Sequence, residues 1–469
     1  MKNYNRLLII GLLFTIAGCK ISKDIPAPKL ETPVAFNDEA VKDTAGIGTL
    51  QWRSFFHDEV LQALIDSTLR RNFDMRIALK NIEEAQIIVR QSKWNNVPAL
   101  DFSAGATTSI PSKHSLNGLT TSQFLGTNHI EDYSAGASLS WEADIWGKIR
   151  ETNKAALAAY LQSDEARKTL QTNLIASVSK GYFNLLMLDE QLRVAQRNLM
   201  LMDSTLRIVN VQYDAGQVTS LAVQQAQAQQ LTATELIPQL EQEIALQENA
   251  LHILAGQQPG TVHRHTILDE IRFPKELSAG LPSAVIRRRP DVRSAELDLV
   301  IANTKVGINK AQMYPAFRIT ASGGINALKA SDWFSIPGSL FGVVGASVLQ
   351  PLLQHKELST QYKIAGIERE KSVILFRQTV LKAIGEVSDA MVKIEKLKRQ
   401  HMIAAKRVAT LRQATANASS LFQNGMANYL EVITAQGNVL QSELDLASVK
   451  RQELSAIADL YRSLGGGTN

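Results

Sequence analysis

Cysteine is nearly absent from this chain: Cys19 is its single copy in 469 residues. No intrachain disulfide can form, so the fold must rest on packing alone. Long apolar runs are missing as well. The apolar segment 7–17 falls short of the roughly 20 residues that cross a bilayer as a helix, and no later stretch does better, which argues against a helical membrane protein. Charge of one sign is scarce: 50 Lys and Arg stand against 45 Asp and Glu, a net +5. They form no basic run of the kind that makes a nucleic-acid arm. Catalytic motifs are missing too. There is no phosphate-binding glycine loop, no Cys or His set at metal-ligand spacing, and no activated Cys. The expectation is therefore no enzyme, no cofactor and no metal site.

What is present starts at Cys19. Lys2 and Arg6 precede the apolar segment, which closes on Ile16-Ala17-Gly18. A charged start, a short apolar core and a small-residue end make a secretory signal peptide over residues 1–18. A Cys directly after Ile-Ala-Gly resembles the bacterial lipobox, in which the Cys becomes the acylated first residue of the mature chain. Cys19 is thus the expected lipid attachment site. Lys20, rather than Asp, follows it, which fits an outer-membrane destination. Residues 19–50, with Pro26, Pro28 and Pro33, read as an extended strap between the lipid and the folded part.

The remainder is written twice. Asp74-Met75-Arg76-Ile77-Ala78 recurs as Asp291-Val292-Arg293-Ser294-Ala295, and Ala85, Val89 and Pro98 match Ala302, Val306 and Pro315 at the same offset. Further on, Tyr213-Asp214-Ala215-Gly216 matches Phe422-Gln423-Asn424-Gly425. A period near 210 residues is far too long for a solenoid and reads as tandem duplication. The expected layout is a first repeat over 51–260, a connection over 261–282 and a second repeat over 283–469. Each repeat holds a helix (59–94; 282–313), a β-hairpin (99–141; 316–349) and a helical hairpin (148–256; 356–465).

Leu185, Leu188, Leu192, Ala195, Leu199, Met202, Leu206, Val209 and Tyr213 step by three and four. This is a heptad seam, repeated in register from Ile394 to Phe422 with His401 in the place of Leu192. A helix from Lys148 to Tyr213 spans about 100 Å at 1.5 Å per residue and must lie along other long helices. Gly216 and Gly425 supply the left-handed closure of their helices. The four extended segments alternate large apolar with small or polar residues, the weak signature of a membrane β-barrel. Four strands cannot close a barrel, and an open edge in lipid leaves backbone groups unsatisfied. Strands from several copies are expected to share one barrel. The fold class is mainly α with a membrane β part.

Two stretches carry a resemblance. Trp141-Glu142-Ala143-Asp144-Ile145-Trp146-Gly147-Lys148 and Arg288-Arg289-Pro290-Asp291-Val292-Arg293-Ser294-Ala295-Glu296 are similar to two signatures of the outer-membrane efflux lipoproteins. These lipoproteins belong to the TolC/OprM-type outer-membrane factor family. The resemblance implies a homotrimer in which each protomer gives four strands to a 12-stranded barrel, set on an α-helical barrel that reaches into the periplasm. It implies a lipid-anchored exit duct of a tripartite system for drugs or other small toxic compounds, with a periplasmic adaptor and an inner-membrane resistance-nodulation-division pump as partners. It also implies that the tips Gly216, Gln217, Val218, Thr219 and Gly425, Met426, Ala427, Asn428 dock the adaptor. Glu431 would become a ring of three carboxylates at the periplasmic gate. Metal-ion efflux, protein secretion, and a lipid-anchored coiled-coil scaffold remain as alternatives. Asp291 after Pro290 reads as a helix start.

Overall fold

The computed structural model describes residue 28, residues 46–273 and residues 279–468. Cys19, its signal peptide and most of the strap lie outside them. The helices in the first half of the chain are α1 (Trp52–Phe55), α2 (Glu59–Arg71), α3 (Phe73–Trp94), the short α4 (Leu116–Thr120), α5 (Lys148–Asp214) and α6 (Ser220–Leu254). Those in the second half are α7 (Pro282–Arg288), α8 (Pro290–Ala311), α9 (Glu357–Gln423) and α10 (Tyr429–Ser463). The strands are β1 (Ala99–Ser109), β2 (Ile130–Glu142), β3 (Ala316–Ala327) and β4 (Leu340–Leu349).

The chain divides into two compact units, each drawing on both halves of the sequence. One is built chiefly from residues 83–161 and 296–374, the other chiefly from residues 46–82, 162–295 and 375–468.

In the first unit the two expected hairpins are joined. All four strands form one antiparallel sheet in the order β1-β2-β3-β4. The inner pair β2 and β3 runs in register from Tyr133 opposite Ala327 to Glu142 opposite Arg318. β1 and β4 are the edges.

In the second unit α5 and α9, 67 residues each, confirm the long seam. Leu185, Ala195, Met202 and Val209 are buried along α5, and Ile394, Ala404, Val408 and Phe422 along α9. Side-chain bonds fix the lateral order of the hairpin helices. Gln230 Nε2 donates to Asp203 Oδ1 at 3.0 Å, tying α6 to α5. Arg197 Nη2 donates to Glu443 Oε2 at 2.6 Å, tying α5 to α10. Arg412 Nε donates to Glu443 Oε1 at 2.6 Å, tying α9 to α10. The order is α6-α5-α10-α9, so α6 and α9 are the outer members. A core of Phe55, Ile65, Tyr182, Phe183, Leu454 and Tyr461 closes the same unit, with the Phe55 and Tyr461 rings stacked at 4.3 Å.

The sequence led us to expect one helix over 59–94 and one over 282–313. Each is broken. Arg289 precedes a proline, which forces it out of the helical region, and it sits at φ −65°, ψ 123°. Asn72 takes φ −55°, ψ 133° and caps α3, its Oδ1 accepting from Met75 N at 3.0 Å. Both breaks serve the same purpose. Asn72 Nδ2 donates to Leu254 O at 2.9 Å, and Arg289 Nη1 donates to Ser463 O at 2.8 Å. Each thereby satisfies a carbonyl left without a partner at the end of a return helix.

Candidate functional site

Strand register sorts the sheet into two faces, because alternate residues point to opposite sides. Leu100 lies opposite Leu139 and Phe102 opposite Ala137. Leu139 lies opposite Ala321 and Trp141 opposite Ile319. Ile319 lies opposite Ala346 and Ala321 opposite Val344. From Tyr133 to Trp141 this face carries only apolar or small residues and tyrosine, and Glu131, opposite Thr108, lies beyond that band at the far end of β2. The other face holds Asp101, Ser103, Asp132, Ser138, Glu142, Arg318 and Thr320, with Phe341, Val343 and Leu349 as its apolar members on β4. The apolar face has no cover: Phe102 is 76% exposed and Val344 83%. Tyr133 and Trp141 bracket it on β2, eight residues apart, or about 27 Å at 3.4 Å per residue. That matches the apolar band of roughly 25 Å and the aromatic girdles of a membrane barrel.

The first signature builds the junction beneath β2. Asp144 caps α5, accepting from Ile149 N at 2.9 Å and Arg150 N at 3.0 Å. Trp146 Nε1 donates to Pro315 O at 2.7 Å, and its ring lies 4.9 Å from that of Tyr314. Trp141 Nε1 donates to Asn96 O at 3.0 Å. Glu142 pairs with Lys148 and lies 3.6 Å from Arg318.

The second signature builds a buried ion cluster. Arg289, 4% exposed, reaches Asp291 Oδ2 at 2.6 Å and Glu386 Oε2 at 2.9 Å. Burial alone would raise the Asp291 carboxyl, but the Arg289 guanidinium beside it holds it below the usual carboxylate range. Asp291 lies in the first turn of α8, where the helix dipole favours its charge.

At the tips, Gly216 and Gly425 both adopt φ 71°. Paired backbone bonds close each helix, Gly216 N to Tyr213 O at 2.9 Å with Gln217 N to Gln212 O at 2.8 Å, and Gly425 N to Phe422 O at 3.0 Å with Met426 N to Leu421 O at 2.9 Å. Gln217, Thr219, Met426 and Asn428 are exposed, whereas Val218 and Ala427 are half-buried. These two pack on a small cluster of Val209, Ala222, Ala226, Phe422 and Val432 that joins the two tips. Tyr429 Oη donates to Gln225 Oε1 at 2.6 Å across the same joint. Glu431 is exposed in the first turn of α10, and its N–H donates to Asn428 Oδ1 at 3.1 Å. Sequence reasoning missed the Tyr429 bond and the Glu443 clamp. Neither residue stands in a motif, and Gln225 on α6 and Arg197 on α5 lie more than 200 residues away, while the second partner of Glu443, Arg412, is on the neighbouring helix α9.

Among the described residues no group of His, Cys, Asp or Glu is placed to hold a metal ion, and no helix is long and apolar enough to cross a membrane. His401 Nδ1 lies 3.7 Å from Glu453 Oε2, a partnered seam histidine.

The sequence profile of outer membrane efflux proteins matches residues 64–257 and 281–466. The chain belongs to the outer membrane efflux protein family. It is 26% identical over 466 residues to the probable outer membrane lipoprotein SilC of Salmonella typhimurium, covering 98% of each chain. It is 28% identical to the pyoverdine export outer membrane protein OpmQ of Pseudomonas aeruginosa, covering 100% of this chain and 97% of the other. Among solved structures, the open state of the Neisseria gonorrhoeae MtrE outer membrane channel superposes with a TM-score of 0.85 at 26% identity, over 96% of this chain and 99% of that one.

Proposed function

We propose that this family member is the passive exit duct of a tripartite efflux system, assembled as a homotrimer whose three sheets close a 12-stranded barrel in the outer membrane. The observation that carries this reading is a sheet with one apolar face and two unpaired edges, since an open edge in lipid leaves backbone groups unsatisfied. The second unit supports it independently. Three of its four long helices bear exposed large apolar residues, Met200 and Val211 on α5, Leu221, Leu231 and Leu246 on α6, and Met402 and Ile403 on α9, whereas α10 exposes only Leu430. Unpaired edges on strands and uncovered apolar stripes on helices both call for another copy.

A periplasmic adaptor docks on the exposed tips around Gly216 and Gly425, with Gln217, Thr219, Met426 and Asn428 as the exposed contacts. An inner-membrane pump of the resistance-nodulation-division type selects the cargo, so the duct itself performs no chemistry. Relatives are named for cation efflux, for antibiotic efflux and for pyoverdine export, which supports small compounds or metal ions as cargo. Drugs or other small toxic compounds are the proposed cargo, and metal ions the second reading. Cys19 carries the lipid, and Glu431 from three copies forms a carboxylate ring that narrows the periplasmic mouth.

The purified protein should run as a heat-dissociable trimer and conduct in planar bilayers. A monomer that never conducts would leave only a lipid-anchored scaffold. Glu431→Ala should raise conductance or weaken block by divalent cations, and no change in either removes the ring.

A further inference from the structure

The two halves of the chain meet inside one copy through a specific joint beneath the sheet. The connection from β2 to α5 docks on the connection from α8 to β3. Three contacts define it. Ala143 N donates to Phe317 O at 3.0 Å, Trp146 Nε1 donates to Pro315 O at 2.7 Å, and the Trp146 ring lies 4.9 Å from the Tyr314 ring.

The sequence repeat supplies both components a second time. Residues 143–147 correspond to 352–356, with Gly147, at φ 78°, matched by Lys356, at φ 62°. Residues 314, 315 and 317 correspond to Val97, Pro98 and Leu100. Within one copy this second set lies at the two open edges, 352–356 after β4 and 97–100 at the start of β1. Both components are bare. Leu353 is 96% exposed and Leu352 85%, and on the other side Trp94 is 69% exposed and Leu100 70%. The equivalents in the filled joint, Ala143 and Asp144, are half-buried.

We infer that the turn over residues 352–356 docks on residues 94–100 of a second copy, repeating between subunits the joint that already exists within one. The inference rests on the multimeric reading above, because only closure of the barrel brings β4 of one copy beside β1 of the next. In an antiparallel pair the end of β4 and the start of β1 fall at the same end of the sheet, so no further movement is needed. The internal joint dictates the contacts. Leu352 N–H donates to the Leu100 carbonyl of the second copy, and the His355 ring takes the place of Trp146, over Val97 and within reach of the Pro98 carbonyl. Leu352 and Leu353 then pack beside Trp94. Three such joints form one ring at the foot of the barrel.

Disulfide trapping tests this, since engineered cysteines meet only Cys19 as background. In the full-length protein carrying His355→Cys and Val97→Cys, mild oxidation should yield covalent dimers and trimers on denaturing gels, and neither single variant should. A double variant that forms heat-dissociable trimers without cross-linking overturns the joint and leaves the channel standing. A parent protein that forms no trimer at all overturns the multimeric reading itself. Leu353→Asp provides a second measurement, because a nearly fully exposed side chain has no role in folding a single copy. It should lower the temperature of trimer dissociation by about 5–10 °C with helical content unchanged. An unaltered dissociation temperature counts against the joint.

Discussion

The two helical hairpins share spacing, turn chemistry and closing glycines, yet they bury different faces. Tyr213 and Phe422 stand three residues before their glycines, but Tyr213 is 47% exposed and Phe422 4%. Ala222 and Glu431 are equivalent by sequence, and Ala222 is buried while Glu431 is exposed. α6 buries Ala222 and Ala226, whereas α10 buries Val432 and Gln436. Near the tip the buried stripe has moved by one residue, about 100° around the helix. Neighbours explain the shift. α10 lies between α5 and α9 and turns polar residues to both. Gln436 Nε2 donates to Thr205 Oγ1 at 2.9 Å on one side, and Ala435 O accepts from Thr415 Oγ1 at 3.1 Å on the other. α6 has α5 on one side and an open flank on the other. Duplicated sequence therefore gives duplicated helices, and lateral position decides which face of each is used.

The sharpest way to break this comparison is at the matched aromatics. Phe422→Ala should remove about 3–5 kcal/mol from the tip cluster and expose the 424–428 turn to protease. Tyr213→Ala should change stability by less than about 0.5 kcal/mol. Equal sensitivity at the two tips would mean that both aromatics are buried alike.

Next comes the pair Glu443 and Thr234. Glu443 accepts charged hydrogen bonds from Arg197 and Arg412, so Glu443→Gln should lose about 2–3 kcal/mol in thermal unfolding. Thr234, whose hydroxyl donates to Gln230 O on its own helix at 2.9 Å, should tolerate Ala with no measurable loss. A neutral Glu443→Gln variant would remove the clamp as the element that sets α10 between its neighbours.

Asp291 and Asp74 offer a comparison read by pH. Asp74 is exposed, while the Asp291 carboxyl is held below its usual range by Arg289. A carboxylate with a lowered folded pKa stabilises the fold above its unfolded value and loses that contribution as pH falls through the folded one. Stability measured from pH 7 downward should thus fall below about pH 4 in the parent protein. Asp291→Asn should be less stable by about 2 kcal/mol at neutral pH and lose this part of the acid dependence. Asp74→Asn, at an exposed position, should change stability at neutral pH by less than about 0.5 kcal/mol.

Much of this was legible before any coordinates. Gly216 and Gly425 marked the tips, the heptad steps from Leu185 to Val209 marked the seam, and alternation marked all four strands. Those signals are local, and each is written in consecutive residues. The break at Arg289 is local too, set by Pro290 beside it, whereas the joining of β2 to β3, the break at Asn72 and the rotated face of α10 were not legible. Each depends on a partner about 200 residues distant: Ala327 for Tyr133, Leu254 for Asn72, Thr205 for Gln436. Periodicity sets how wide an apolar face is, but long-range neighbours set where it points. The same limit applies to the tips, where the half-burial of Val218 and Ala427 against the cluster that joins the two turns is set by residues distant in sequence.

The smallest expected effect lies where a glycine has no counterpart. Gly147 opens α5 at φ 78°, and the equivalent Lys356 takes φ 62° just before α9, with His355 at φ 50° beside it. A side chain in this region costs about 1–2 kcal/mol, so Lys356→Gly should stabilise the single chain by about 1 kcal/mol in thermal unfolding, and Gly147→Ala should destabilise it by a similar amount. The two substitutions separate strain from use. If the conformation at 355–356 is imposed by packing beneath the sheet alone, Lys356→Gly stabilises subunit and trimer equally. If the stiff turn also presents His355 and Leu353 to a second copy, the added freedom of glycine weakens assembly while the subunit gains. Parallel melting of the subunit and dissociation of the trimer distinguish these outcomes, because only the second sends the two transitions in opposite directions.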